Sequence, residues 1–281
     1  MTPAAPRPTP PHRSDERHLV DVLVPTYSRP AAVPITLAGL AGQDGPGFRV
    51  VVSSQDDAEA WSPEVEAMAG ILRGRGRAVD LVWHRPRRGV AEHRQALLDR
   101  ATAPYVLFLD DDVWLAPGTL ARMVATIRRQ QCGFVGCAPI GWSYLDDERP
   151  GDQVVEPWIG GVTPEVVVPE GEAWERHRLH SAANMVHAAR RLGLRDEDAL
   201  PYRVAWVGGC VLYDAAALRE AGGFGFWREL PADHAGEDVL AELRVMRRHG
   251  GCAILPSGAW HLELPTTIER RDVDAPLVLG V

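Results

Sequence analysis

Tyr105-Val106-Leu107-Phe108-Leu109 runs straight into Asp110-Asp111-Asp112. Five apolar residues in a row, rich in branched and aromatic side chains, predict a strand buried on both faces, the kind found in parallel sheets. Three consecutive carboxylates cannot follow that strand into an apolar core, so the chain must surface there. In an open α/β sheet the carboxyl ends of strands are where ligands bind, which makes this junction the first candidate for a functional site. Hard cations such as Mg²⁺ and Mn²⁺ take carboxylate oxygens, often only one or two from the protein, with phosphates and water completing the shell. Such a cluster therefore suits a diphosphate. The plain alternative is a solvated acidic turn, or an N-cap for the helix that follows Pro117.

Working outward from this junction, apolar runs alternate with helical patterns. Leu19 to Val24, ended by Pro25, and Phe48 to Ser53 predict two more buried strands, and Ala78 to Trp83 a further one. Between them Ser62-Pro63-Glu64 offers an N-cap and an N1 proline to a helix with Val65, Met68, Ala69 and Leu72 on one face. Val90, Arg94, Leu97 and Leu98 share a helical face before Tyr105, and Leu120, Met123, Val124 and Ile127 share another after Pro117. Gly133 to Cys137 predicts a strand. This alternation predicts an α/β sandwich with a mostly parallel sheet.

Past Pro139 the periodicity fades. Residues 141–172, rich in Gly, Pro, Trp and acidic side chains, predict an insertion over the site. A long helix is expected from Trp174 to Leu192, a strand broken by Gly208 and Gly209 from Val204 to Tyr213, a helix from near Gly236, and a strand from Ala253 to Leu255. The expected layout is a disordered Pro-rich arm (1–17), one domain (18–265) and a tail (266–281); five prolines among the first seventeen residues carry the first of these.

Composition narrows the function. The 281 residues are 46% hydrophobic, enough for one large core, and the net charge of -8 argues against binding nucleic acid through a general basic field. No apolar run is long enough for a transmembrane helix and no signal peptide is evident, so the cytoplasm is the expected location. Four cysteines without C-x-x-C spacing read as isolated reduced thiols.

Four features in order resemble the family 2 glycosyltransferases, enzymes of the Rossmann-like GT-A fold, an α/β/α sandwich. They are Pro25-Thr26-Tyr27-Ser28-Arg29 after the first strand, Leu109-Asp110-Asp111-Asp112, Gly236-Glu237-Asp238 at a helix start, and Trp260-His261. The resemblance implies a donor-binding role for Pro25, Thr26, Tyr27 and Arg29. It places Asp110 and Asp111 near the ribose and diphosphate, and makes Asp112 and His261 ligands of Mn²⁺ or Mg²⁺. It implies an inverting transfer with Asp238 as general base, Glu237 orienting the acceptor or serving as the alternative base. Arg94 would approach the nucleotide or its phosphates, and Gly208 and Gly209 would line the sugar and acceptor pocket. Each has a bland alternative: a histidine beside a tryptophan is commonly structural, acidic residues complement a helix N-terminus, and a glycine pair makes a bulge. Trp142, Trp158, Trp174 and Trp227 are candidates for an acceptor platform.

One position departs from the family. Where it usually has Asp at the end of the second strand to grip the base, this chain has Ser53-Ser54-Gln55, so Ser54 and Gln55 would read the base edge. A UDP-sugar is the favoured donor, with guanosine and thymidine diphosphate sugars left open. The acceptor is an unidentified small molecule, glycan or lipid-linked compound. Competing readings are an inactive sugar-nucleotide-binding protein and a sugar-1-phosphate nucleotidyltransferase. The latter would need a Gly- and Lys-bearing segment that Pro25 to Pro34 lacks.

Overall fold

Alternating strands and helices appear in the predicted order in the computed structural model, which describes residues 18–267 and 271–281; the arm expected over 1–17 lies outside the described residues. The first half is β1 (Val20–Thr26), α1 (Val33–Ala41), β2 (Phe48–Ser54), α2 (Pro63–Gly74), β3 (Ala78–Trp83), α3 (Val90–Arg100), β4 (Tyr105–Leu109), β5 (Val113–Leu115) and α4 (Thr119–Gln130). The second is β6 (Phe134–Gly136), β7 (Ile140–Gly141), α5 (Asn184–Arg191), β8 (Leu200–Tyr202), β9 (Cys210–Asp214), α6 (Ala215–Glu220), α7 (Glu237–His249), β10 (Gly251–Leu255), β11 (Ala259–His261) and α8 (Ala275–Leu279).

The large sheet has the order β3-β2-β1-β4-β9-β6-β10-β8, and β5-β11-β7 form a small second sheet. Within the large sheet only β9 and β8 run against the other strands. Side-chain alternation divides each central strand between two apolar layers. Val22, Val24, Leu107 and Leu109 pack with Leu37, Leu72 and Met123 of α1, α2 and α4. Leu23, Val106 and Phe108 pack with Leu97 of α3 and Leu240 of α7 on the other side. Burying each such side chain stabilises the fold by roughly 1.5–3 kcal/mol. The helix signals act as read: Pro63 opens α2 and Ser62 Oγ accepts the Val65 N–H at 3.3 Å. All four cysteines are buried and free.

Several expectations are corrected. β1 continues through Pro25 to Thr26, because pairing with β4 stops at Leu23 and the proline interrupts no ladder on that side. The helix expected from Trp174 to Leu192 is two pieces, a 3₁₀ stretch over Glu172–His180 and α5, with Ala182 at φ 51° between them. Asn184 turns its Nδ2 back onto the Arg178 carbonyl at 3.1 Å, closing the first piece. The strand expected from Val204 begins only at Cys210, since the Val207 N–H leaves the sheet to meet Glu242.

The 141–172 segment begins beside the small sheet, where Trp142 stacks on Trp260 at 4.2 Å. It then runs along the far sheet edge: Trp158 donates its backbone N–H to Pro201 and Glu165 to Met246. It is a belt around that edge more than a cover over the site. Trp158 thereby lies under Arg203, 3.7 Å from its ring centre, away from any acceptor platform. Within the tail, Val273 and Ala275 exchange backbone bonds of 2.9 Å with Ala235. Among the described residues no helix is long and apolar enough to cross a membrane.

Asp21, fully buried at the start of β1, accepts from Thr102 N at 2.6 Å, Ala103 N at 2.9 Å and Arg49 Nε at 2.8 Å. Burial alone would raise its pKa, but the two backbone donors and Arg49 prevail and hold it below the usual carboxylate range. Asp21→Ala is expected to cost about 2–4 kcal/mol in urea unfolding at neutral pH. The wild-type contribution is present above the ordinary carboxylate range and is lost as pH falls through the depressed folded value.

Candidate active site

The buried strand β4 delivers its three carboxylates into a cleft of about 460 Å³ at the carboxyl edge of the sheet. Asp110 N donates to the Gly209 carbonyl at 2.8 Å, tying the end of β4 to the chain entering β9. Asp111 turns toward β1, where Thr26 Oγ donates to it at 2.5 Å and Arg29 Nη1 at 3.2 Å. The same Arg29 nitrogen donates to Asp112, and its Nη2 donates to the Pro265 carbonyl. Loss of water, with the charge of Asp112 adding to it, raises Asp111 to about 7 against the opposing Thr26 and Arg29 bonds. Burial and then Asp110 push Asp112 upward as well.

Pairing of β5 with β11 sets His261 opposite Val113, so that His261 Nε2 lies 3.5 Å from Asp112 Oδ2. Such a pair could hold one hard cation between them. Arg29 donates to the same Asp112 oxygen, so a cation would have to share that oxygen with the guanidinium. His261 Nδ1 accepts the Glu263 N–H at 2.8 Å, and ligation through Nε2 would place the ring proton on Nδ1 and release that bond. Among the described residues no three metal-binding side chains form a ready cage. The donor set fits a cation whose shell is completed by phosphate and water.

The opposite wall is the start of α7. Gly236, at φ 75°, admits the turn that puts Glu237 and Asp238 in the first helical turn. Arg94, almost wholly buried, donates Nε to Glu237 at 3.0 Å and Nη2 to Asp110 at 2.8 Å. It therefore bridges the two walls of the cleft it lines. Desolvation opposes its charge, but Asp110 and Glu237 raise its pKa on balance. Burial pushes Glu237 up, with Arg94 opposing. Half-buried Asp238 is raised to about 7 by desolvation and then by the charge of Glu237.

Pro25, Thr26, Tyr27, Arg29, Arg94, Asp110, Asp111, Asp112, Glu237, Asp238 and His261 all border this one cleft. Gly208 and Gly209 stand behind it: a Cβ on Gly208 would lie 3.6 Å from Asp238 Oδ2, and one on Gly209 3.4 Å from Asp110 Oδ2. Ser54 faces away, its hydroxyl engaged with the backbone and side chain of Asp56 at 3.0 and 2.9 Å. Gln55 lines the cleft instead, 5% exposed, its Nε2 without a partner.

Sequence reasoning missed other lining groups. His93, bonded to Ser53 Oγ at 2.8 Å, is held neutral: burial, then His84 and Arg94, lower it to about 3. His234 accepts the Ala91 N–H at 3.3 Å through Nε2, on a loop that presses against Gly89. Arg271 reaches the cleft from the tail. The histidine in Gly89 to Leu98 was open to notice; the other two arrive only through tertiary packing.

A mostly parallel α/β/α sheet with this carboxylate cleft at its strand ends is the architecture of a GT-A glycosyltransferase. The family description Glycosyl transferase family 2 matches residues 21–183, more than half of the chain, and the chain belongs to that family. S. aureus TarS 1-349 in complex with UDP-GlcNAc is similar in fold, with 16% identity and a TM-score of 0.55 over 89% of this chain and 60% of that one. The mannosyltransferase PcManGT from Pyrobaculum calidifontis, in complex with GDP-Man and Mn²⁺, has 21% identity and a TM-score of 0.52 over 85% of this chain and 57% of that one. This chain thus spans less than two thirds of either structure. No curated protein matched in sequence.

Proposed function

We propose that this glycosyltransferase moves a sugar, with inversion, from a nucleoside-diphosphate sugar to an acceptor hydroxyl. The observation that carries the reading is one cleft with a carboxylate wall on each side, one of which sets a histidine beside its carboxylates. Asp112 and His261 stand at one end, and Asp238, raised to about 7, stands on the other wall. A carboxylate with a pKa near the working pH is matched to accepting a proton. Asp238 takes the proton of the acceptor hydroxyl as its oxygen bonds to the anomeric carbon, and the bond from that carbon to the diphosphate oxygen breaks. Mn²⁺ or Mg²⁺, held by Asp112, His261 and phosphate oxygens, would supply charge stabilisation to the leaving diphosphate.

Pro25, Thr26, Tyr27 and Arg29 form the donor floor, with Asp110 and Asp111 toward the ribose and diphosphate. Glu237 is tied to Arg94, which suits holding the wall more than acting as base. The unpartnered Gln55 amide takes the base-reading role in place of Ser54, offering a donor and an acceptor to a base edge. A UDP-sugar is favoured; TarS binds UDP-GlcNAc and PcManGT binds GDP-Man, so the donor panel must include both nucleotides. The domain is read as one unit, the 266–281 tail belonging to it.

Thermal shift and donor hydrolysis across nucleoside-diphosphate sugars, with and without Mn²⁺, test the reading. One donor is expected to stabilise the wild type only with metal present. Asp112→Ala is expected to lose that stabilisation and to lower hydrolysis by about 10² or more. Failure of every donor to bind in the presence of metal would sink the proposal. Binding without hydrolysis or transfer to any acceptor would favour a protein that only binds sugar nucleotides.

A further inference from the structure

Glu242 is a buried carboxyl that the reading above leaves unused. It lies on α7 one turn beyond Asp238, with no exposed surface. Its Oε2 accepts the Val207 backbone N–H at 2.7 Å, while Oε1 is buried without a partner. Burial, and after it the charge of Asp238, pushes this carboxyl well above the usual carboxylate range. Kept neutral, it adds no repulsion to the base beside it. Tyr213, Asp238 and Arg94 are the other titratable groups coupled to it.

Val207 is gripped from two sides. Its amide is held by Glu242, and its side chain packs where a Cβ on Gly136 would come within 2.6 Å of it. The neighbouring residues form the wall between base and donor carboxylates: Gly208 lies against Asp238, and the Gly209 carbonyl accepts from Asp110 at 2.8 Å. On the other side of Val207, Trp206 stands 4.4 Å from Trp174 and 5.1 Å from His177, between ring centres.

We propose that Glu242 is a positioning residue for the acceptor half of the site: through the Val207 amide it holds the 206–209 loop at a set distance from Asp238. The proposal rests on Asp238 being the base, so the test separates the two. Glu242→Gln keeps an oxygen for Val207; Glu242→Leu fills the space without one; Gly136→Ala pushes Val207 from the opposite side with Glu242 intact. The full chain is examined by amide exchange over 206–209, UDP binding with Mn²⁺, and hydrolysis across the donor panel.

Glu242→Leu is expected to speed exchange over 206–209 on the order of tenfold and to slow hydrolysis about tenfold, with UDP affinity kept within about twofold. Glu242→Gln is expected to restore both, which a requirement for ionisation of the carboxyl or proton transfer by it would not allow. If Glu242→Leu does not fold, Gly136→Ala carries the test, and its exchange and hydrolysis must move the same way. A folded Leu variant with unchanged exchange, or a Gln variant as impaired as Leu, overturns the proposal. If Asp238→Asn leaves hydrolysis untouched, the base reading falls and this role falls with it. If Asp238→Asn abolishes hydrolysis but Glu242→Leu changes nothing, only the role of Glu242 falls.

Discussion

Replacing Asp238 by Asn is expected to lower sugar transfer and donor hydrolysis by about 10²–10⁴, with nucleotide affinity in the presence of metal unchanged. The amide fills the same space but cannot take the acceptor proton. Because the wild-type carboxyl is raised to about 7, its rate should climb with pH through that value, and the residual rate of Asp238→Asn should not follow this rise. Stability moves in the opposite sense. A carboxyl raised above its unfolded value of about 3.9 binds its proton more tightly in the folded chain, so its contribution falls as pH rises from about 4 through 7. Asp238→Asn should therefore melt higher than wild type at pH 8, the difference shrinking as pH is lowered toward 4. A variant that transfers sugar at the wild-type rate would remove Asp238 from the mechanism.

Arg94→Met should produce the largest loss of stability in the site. The guanidinium is buried between Asp110 and Glu237, so its removal leaves Glu237 buried without its counter-charge and Asp110 facing the cleft alone. Breaking a buried pair from one side costs about 3–5 kcal/mol, to be read in urea unfolding. Adding Glu237→Gln to Arg94→Met should recover part of this, since the burden is the stranded carboxylate and not the absent arginine. Full stability in the single variant would mean that Glu237 is neutral in the folded chain.

In the half of the fold up to β6, β1, β2 and β4 were legible because they are buried on both faces. Helices α2, α3 and α4 were legible because each carries an apolar stripe, whereas the three-residue β5 was not. Residues such as Leu107 and Leu72 hold one position in that repeating pattern, and the pattern is enough. The stretch from 139 to 210 was not legible in the same way. β7 and β8 have two and three residues, too few to show a period, and they exist because β11 and β10 lie beside them. The same reason limits the site. Asp110, Asp111, Asp112, Glu237 and Asp238 were visible as carboxylates at element ends, and the structure brings them to one cleft. That Arg94 joins Glu237 to Asp110, that Gln55 and not Ser54 turns inward, and that Arg271 returns from the tail all depend on contacts distant in sequence.

Arg29 has a consequence beyond the contacts it makes. By sitting between Asp111 and Asp112 it gives the acidic cluster an internal counterion, so the resting chain does not depend on a bound ion to offset the repulsion of those carboxylates. Folding is then expected to proceed without the metal. Under the proposed function, the cation can arrive already complexed with its nucleotide, and a chelator would silence the enzyme without unfolding it.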